Sequence, residues 1–320
     1  MTTTPYTILA SAGCLPERTV TNDDLAARMD TSDEWIRQRT GIRTRHIAGP
    51  AETTSTLCTT VAQQLLAQAG ISADQLSYIL VATMSPDYAT PATAAQVQGR
   101  IGARHAVAFD LSAACSGFVY SLHVMQRLLA GSEKRYGLVL GGEVLSRLVD
   151  WHDRSTAVLF GDGAGGVLVS NRGPGAYLGA DLRTLGDQGD ALTARQLAAG
   201  DDPQAAYLHM NGRRVYSFAV REVPRSLTQA VANAGLTLAQ VDHFCLHQAN
   251  ARIVAQVAKD LDQPASKFPL NIAQVGNTAA ASEPLLLAEN IANGTIQRGD
   301  VVACCGFGGG LTVGTVVLRY

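Results

Sequence analysis

A thiol, an imidazole and a carboxamide stand in this sequence where apolar segments give way to loops. Cys115 lies in FDLSAACSGFVYSL, between the apolar stretch AVAFDL and a run with helical spacing. At a helix N-terminus the unpaired N–H groups and the helix dipole favour an anion. A thiol placed there falls from a pKa of about 8.5 towards roughly 3.5–7.5 and becomes a nucleophile at neutral pH. Ala113, Ala114, Ser116 and Gly117 are small enough to let a ligand reach the sulfur. The competing reading is a core thiol that packs as a small hydrophobe.

His247, in VDHFCLHQANARI, ends an apolar strand, and Asn250 is placed to cap the helix that follows. In α/β sheets, chemistry collects beyond the carboxyl ends of strands. His243, Cys245 and His247 also share one face of that strand. The spacing raises zinc, but no further thiol or carboxylate pattern supports a metal site. Asn277, in QVGNTAAAS, precedes another helix, either as a simple N-cap or as a polar group aimed into a site. The glycine loop GFGGGLTVG (306–314) could offer backbone N–H groups to an oxyanion or could be a bare turn. FGDGAGGVLVS contains a formal dinucleotide fingerprint, Gly161-x-Gly163-x-x-Gly166. It is followed by a strand and a turn where a helix would be needed, so its glycines read as a turn and a close backbone approach.

The elements that would position these groups repeat. AQAGISADQLSYILV (67–81) matches ANAGLTLAQVDHFCL (232–246) without gaps, at an offset of 165 residues. AVAFDLSAACSG resembles KFPLNIAQVGNT near 162, and RYGLVLGG resembles RGDVVACCG at 163. Three similarities in the same order argue for a duplicated unit. Helices are expected over TSTLCTTVAQQLLAQAG, CSGFVYSLHVMQRLLAG, VREVPRSLTQAVANAG, NARIVAQVAKDL and TAAASEPLLLAENIANG. Strands are expected over LSYILVAT, YGLVLGGE, VDHFCLH, DVVACCGFG and TVGTVVLRY. Such alternation implies an α/β protein with mixed, mostly parallel sheets covered by helices on both faces. The halves divide as 1–172, carrying the cysteine, and 173–320, carrying His247 and Asn277. The turn-rich NRGPGAYLGADLRTLGDQGD is expected to form the crossover. The alignment sets Cys115 and Asn277 at pseudo-symmetric positions, so all three groups could meet at the seam.

With 320 residues, 47% of them hydrophobic, the chain can bury a large core, and a formal charge of −2 gives no reason to expect a nucleic-acid partner. The N-terminus lacks the basic and apolar regions of a signal peptide, and no run of 18 apolar residues suggests a membrane span. Six cysteines, none in a CxxC pair, read as free thiols in a reducing cytosol, so a cytoplasmic location is expected.

The chain resembles the β-ketoacyl-acyl-carrier-protein synthase III family of the thiolase superfamily over roughly residues 5 to 320. The resemblance rests on TNDDLAARMDTSDEWIRQRTGIRTRHIA, DLSAACSGFVYSL, DRSTAVLFGDGAG, HQANARI, GNTAAAS and GFGGG. It implies a thiolase-like five-layered αβαβα fold and a homodimer. The implied activity is a decarboxylating Claisen condensation of an acyl-CoA primer with malonyl-acyl-carrier-protein. The two thioesters are substrates, and no cofactor or metal is implied. Cys115 resembles the acylated nucleophile, and His247 and Asn277 resemble the pair that binds the malonyl thioester. The N–H groups of Cys115 and Gly309 would form the oxyanion hole. Asn277 in place of a second histidine points to a CoA-primed initiator.

For CoA, the resemblance implies an adenine held between Trp35 and Arg154, a phosphate contact at Arg39, and a pantetheine tunnel at Gly212 and Asn250. For an acidic carrier protein, it implies a dock at Arg252. Lys259 stands two turns further on that helix, and Arg213 and Arg214 could add charge. The acyl pocket would involve Thr90, Phe307 and Leu311, with Val313 nearby. Thr90 stands where acetyl-preferring relatives have a phenylalanine reaching across the dimer, so a longer or branched primer is expected. Glu283, in ASEPL, occupies a usually apolar place. The remaining alternatives are a condensing enzyme making a secondary-metabolite starter, a thioester hydrolase or acyltransferase, and a scaffold that binds CoA or carrier protein without catalysis.

Overall fold

The computed structural model describes residues 4–195 and 200–320. Two five-stranded sheets form its frame. The first runs Thr7–Cys14, Gly163–Ser170, Tyr136–Glu143, Leu76–Ala82, Val107–Leu111 in spatial order. The second runs Thr4–Pro5, Ala176–Thr184, Thr312–Arg319, Val301–Gly308, His243–Leu246. The sheets are mixed, but antiparallel pairing dominates where mostly parallel pairing was expected. Parallel ladders join Leu76–Ala82 to both its neighbours and His243–Leu246 to Val301–Gly308, and the rest are antiparallel. The reason is local. The glycine loop after Gly308 is a tight reversal, so Thr312–Arg319 returns beside its predecessor. The segment expected to be a turn-rich crossover contains a nine-residue strand, Ala176–Thr184, that pairs with it.

Five layers follow from which faces are apolar. Helix Thr54–Ala69 covers the outside of the first sheet, and helix Gly212–Asn233 covers the outside of the second. Helices Gly117–Leu129 and Ser282–Ala292 lie between the sheets. Three apolar slabs result, one under each outer helix layer and one in the middle, where Phe118, Leu122 and Met125 meet Leu286, Val302 and Val316. Helix Thr54–Ala69 shows how the sequence sets its limits: the Thr53 side chain accepts from Thr56 N, and Gly70 ends it with φ +64°. The helix expected from Val220 begins at Gly212, capped by Asn211, and continues through Pro224. Its added turns bring Arg213 and Tyr216 to the functional cavity.

The duplication is visible in the backbone. Turn Ala114–Ser116 precedes helix Gly117–Leu129, and turn Ala279–Ala281 precedes helix Ser282–Ala292. Ala114 and Ala279 both adopt left-handed φ, +45° and +43°. The steps from 114 to 279 and from 117 to 282 are both 165 residues. Cys115 is therefore the counterpart of Ala280, and Asn277 the counterpart of Ser112, which corrects the pairing of Cys115 with Asn277. The cause is the missing edge strand: where the first half has Val107–Leu111, the second has a short helix, Ile272–Val275, packed on the hairpin strand Thr44–His46.

Candidate active site

Cys115 sits in the turn Ala114–Ser116 at the mouth of helix Gly117–Leu129, so the expected junction is present. The sulfur rests on the glycine loop. A Cβ on Gly308 would stand 2.8 Å from both Cys115 Cβ and Sγ, so only glycine fits there. The N–H groups of Cys115 and Gly309 both act on the sulfur. The expected thiolate is not the resting form. Burial raises the pKa of the thiol, the buried carboxyls of Glu283 and Glu143 raise it further, and the two N–H groups only partly offset this. Cys115 is 4% exposed. Desolvation outweighs the helix terminus because, among the described residues, no cation acts on the sulfur to compensate.

His247 follows strand His243–Leu246, and its own N–H donates to Cys305 O at 2.8 Å. Its ring meets the Phe307 ring edge-on, with centroids 5.1 Å apart. Burial pushes its pKa down to about 3, so the imidazole is neutral at working pH. Nδ1 is buried and has no hydrogen-bond partner among the described residues. His243 faces Asp300, 3.2 Å away, and Cys245 is buried in the middle apolar slab. The two do not join His247 in one ligand set.

Asn277 is fixed by backbone. Its N–H donates to Leu159 O at 2.9 Å, and its carbonyl accepts from Gly161 N at 2.9 Å. Its Oδ1 accepts from Ala279 N at 2.9 Å, which leaves the amide NH₂ for the cavity. This is the work of the GDGAG glycines: a Cβ on Gly161 would stand 2.4 Å from Val275 O.

One cavity of about 510 Å³ collects Cys115, His247, Asn277 and Phe307 at its depth. Trp35, Arg39, Gly212, Arg213, Asn250 and Arg252 also line it. Asn250 caps helix Ala251–Asp260 through its side chain and donates to Arg39 O at 2.9 Å. Arg39 and Arg154 lie over the Trp35 ring at 5.7 and 5.4 Å. A base held between Trp35 and Arg154 needs about 7 Å, two contacts of about 3.5 Å. Arg154 therefore has to swing away, and the half-exposed side chain is tethered by Asp30.

Several expected residues lie elsewhere. Thr90 is exposed on a loop outside this cavity. Leu311 is buried in the apolar slab beneath helix Gly212–Asn233 and does not reach the cavity. Arg214 is committed to Asp190 through two hydrogen bonds of 2.8 and 2.7 Å, so its charge is already matched. Lys259 is exposed in the last turn of helix Ala251–Asp260, away from the cavity. Met210, Leu192, Phe160 and Tyr216 also line the cavity and were not foreseen. Only Phe160 carried a signal, as part of the DRSTAVLFGDGAG motif.

A cysteine at a helix mouth, facing a histidine and an asparagine from the other half of a duplicated five-layered fold, defines a thiolase-fold enzyme. Residues 109–186 match the model of 3-oxoacyl-[acyl-carrier-protein] synthase III, and residues 231–320 match that of its C-terminal region. The chain is 56% identical over 323 residues to the β-ketoacyl-[acyl-carrier-protein] synthase III of Levilactobacillus brevis, with 98% of each covered. It is 54% identical over 323 residues, again 98% of each, to that of Lactobacillus helveticus. The crystal structure of 3-oxoacyl-[acyl-carrier-protein] synthase III from Aquifex aeolicus superposes with a TM-score of 0.93 at 39% identity, covering 100% of both chains. The chain belongs to the β-ketoacyl-acyl-carrier-protein synthase III family.

Proposed function

We propose that this enzyme is an acyltransferase that condenses an acyl-CoA primer with malonyl-acyl-carrier-protein, the step that starts fatty-acid synthesis. The single observation that supports this reading best is the convergence of Cys115, His247 and Asn277 on one cavity, with the Gly308–Gly309 backbone against the sulfur.

In the first half-reaction the Cys115 sulfur attacks the acyl-CoA carbonyl. The thiol proton leaves as the C–S bond forms and ends on the departing CoA sulfur. In the second, the malonyl group loses CO₂ and its electron pair forms an enolate. The neutral imidazole of His247 and the amide NH₂ of Asn277 donate to the enolate oxygen. A neutral imidazole suits this role, because its N–H donates a hydrogen bond but is too weak an acid to hand its proton to the carbanion. The carbanion attacks the Cys115 thioester while the Cys115 and Gly309 N–H groups hold the carbonyl oxygen. A carbon–carbon bond forms, the C–S bond breaks, and the released thiolate takes up one proton.

Arg252, at the mouth, would meet an acidic carrier protein, with Arg213 beside the tunnel. Thr90 would contribute to an acyl pocket only through a second copy of the chain, in the expected homodimer. Trp35 and Arg39 would hold the CoA nucleotide. Intact-protein mass after mixing with acetyl-, isobutyryl-, isovaleryl- and hexanoyl-CoA tests the reading. One acyl adduct that vanishes in C115A is expected, and malonyl-acyl-carrier-protein should then convert it to a β-ketoacyl product. Free acid without a β-keto compound would establish a hydrolase instead.

A further inference from the structure

Glu283 lies in the first turn of helix Ser282–Ala292, fully buried, and neither of its carboxyl oxygens has a hydrogen-bond partner among the described residues. The other buried carboxyls differ. Glu143 accepts from Thr83 and Met84, Asp162 from Ala48 and Ser146, and Glu222 from Arg221. Glu283 also has a definite neighbour. A Cβ on Gly306 would stand 2.5 Å from Glu283 Oε1, 2.6 Å from Ser116 Cα and 3.1 Å from Cys115 O. The carboxyl and the backbone of the cysteine turn thus flank the same small gap above Gly306, outside the cavity that the sulfur lines.

We propose that Glu283 shares a single negative charge with Cys115, so that this carboxyl, a positioning residue behind the nucleophile, sets the pH at which the thiol becomes reactive and holds it high. The inference rests on the proposed function only in taking Cys115 as the nucleophile.

An ion buried without a partner is costly, and two like charges in one dry region cannot both form at low cost. Such a pair loses its protons in two steps that belong to the pair. Burial lifts the Glu283 carboxyl well above the usual range, and Cys304 adds to this. Glu283 acts in turn on Cys115 and Cys305. Among the described residues, Glu143 also acts on Cys115 from strand Tyr136–Glu143, Asp181 and Cys304 act on Cys305, and His247 is neutral. None supplies a positive charge. Acylation turns the sulfur into a neutral thioester and removes the conflict.

Alkylation of Cys115 by iodoacetamide, read by peptide mass on the full chain between pH 6 and 10, tests this. It needs neither acyl-CoA nor carrier protein, so its outcome is separate from that of the condensation assay. E283Q keeps the shape of the acid, and E283L keeps much of its volume without polarity. The midpoint of the alkylation profile is expected to fall by about one pH unit or more in both, or about tenfold faster labelling on the rising limb. A structural role alone would change rates across all pH values without moving the midpoint. Superimposable midpoints, or a rise, would overturn the proposal.

Discussion

Gly308 and Cys115 occupy one packing position: the space that a methyl group on Gly308 needs is filled by the cysteine side chain, 2.8 Å away at Cβ and Sγ. Gly308 is clamped in a ladder with Thr312, so it is the sulfur that must yield. A displacement of about 1 Å at a reacting atom can cost on the order of 100-fold. G308A is expected to fold and to acylate Cys115 about 100-fold more slowly, as read by the time course of the mass adduct. Wild-type acylation would show that the glycine is needed only for strand packing.

Removing His247 or Asn277 should separate the two half-reactions. Each is expected to donate to the enolate and not to the acyl-transfer step. H247A and N277A should therefore still form the Cys115 thioester, while the condensation rate falls by about 10²–10³ for each lost donor. Rapid-quench measurement of acyl-enzyme and β-ketoacyl product checks this. Loss of acylation itself would assign the residues to the first step.

The neutral state of His247 also predicts a pH dependence of stability. Its pKa is near 6.5 in the unfolded chain and is lowered to about 3 by burial in the fold. Below pH 6.5 the unfolded chain binds a proton that the folded one refuses, so stability falls as the pH drops from about 6.5 to about 3. The full effect is on the order of 5 kcal/mol. The wild-type Tm should therefore fall more steeply than that of H247Q between pH 7 and 4, as followed by calorimetry. Parallel curves would show that the imidazole is protonated in the native state.

Adenine recognition is expected to depend on a contact that opens. W35A removes one face of the stack and should raise KM for acyl-CoA by about 2- to 30-fold, from the roughly 0.5–2 kcal/mol of such an interaction, with kcat little changed. D30A removes the Asp30 carboxylate, 3.4 Å from Arg154, and keeps the 2.8 Å bond to the Asp30 carbonyl; the looser arginine should leave KM equal or lower. A higher KM in D30A would mean that the tether pre-positions the arginine.

What could be read from the sequence was what local patterning encodes. Gly70 ended its helix, Asn250 capped Ala251–Asp260, and the apolar runs placed Cys115 and His247 at the ends of their elements. The misreadings concern properties that depend on the assembled interior. The helix-terminus argument for a thiolate at Cys115 missed two carboxyls brought up from residues 143 and 283. The partner of Arg214, Asp190, lies in a turn-rich stretch with no periodicity to place it. Hydropathy alone matched Val107–Leu111 to a segment that forms a short helix, so the counterpart of Cys115 was misplaced by three residues. Leu311 looked available because the glycine loop was legible while the burial of its far side was not.

Carrier-protein docking should distinguish arginines that are close in sequence. Arg252 is exposed at the mouth and lies over the Tyr216 ring, 6.0 Å from its centroid, while Arg214 is held by Asp190. R252E should raise KM for malonyl-acyl-carrier-protein about tenfold or more and leave acylation by acyl-CoA unchanged. K259E should act in the same direction but less, because it lies about 10 Å along the helix from Arg252, at 1.5 Å per residue. R214A should change KM less than twofold, since its charge is already balanced. Raising the salt concentration should weaken the wild type and shrink the R252E effect, because exposed charges are screened within about 10 Å at 0.1 M. Equal effects from R214A and R252E would place the dock over the Asp190–Arg214 pair and not over the helix that follows His247.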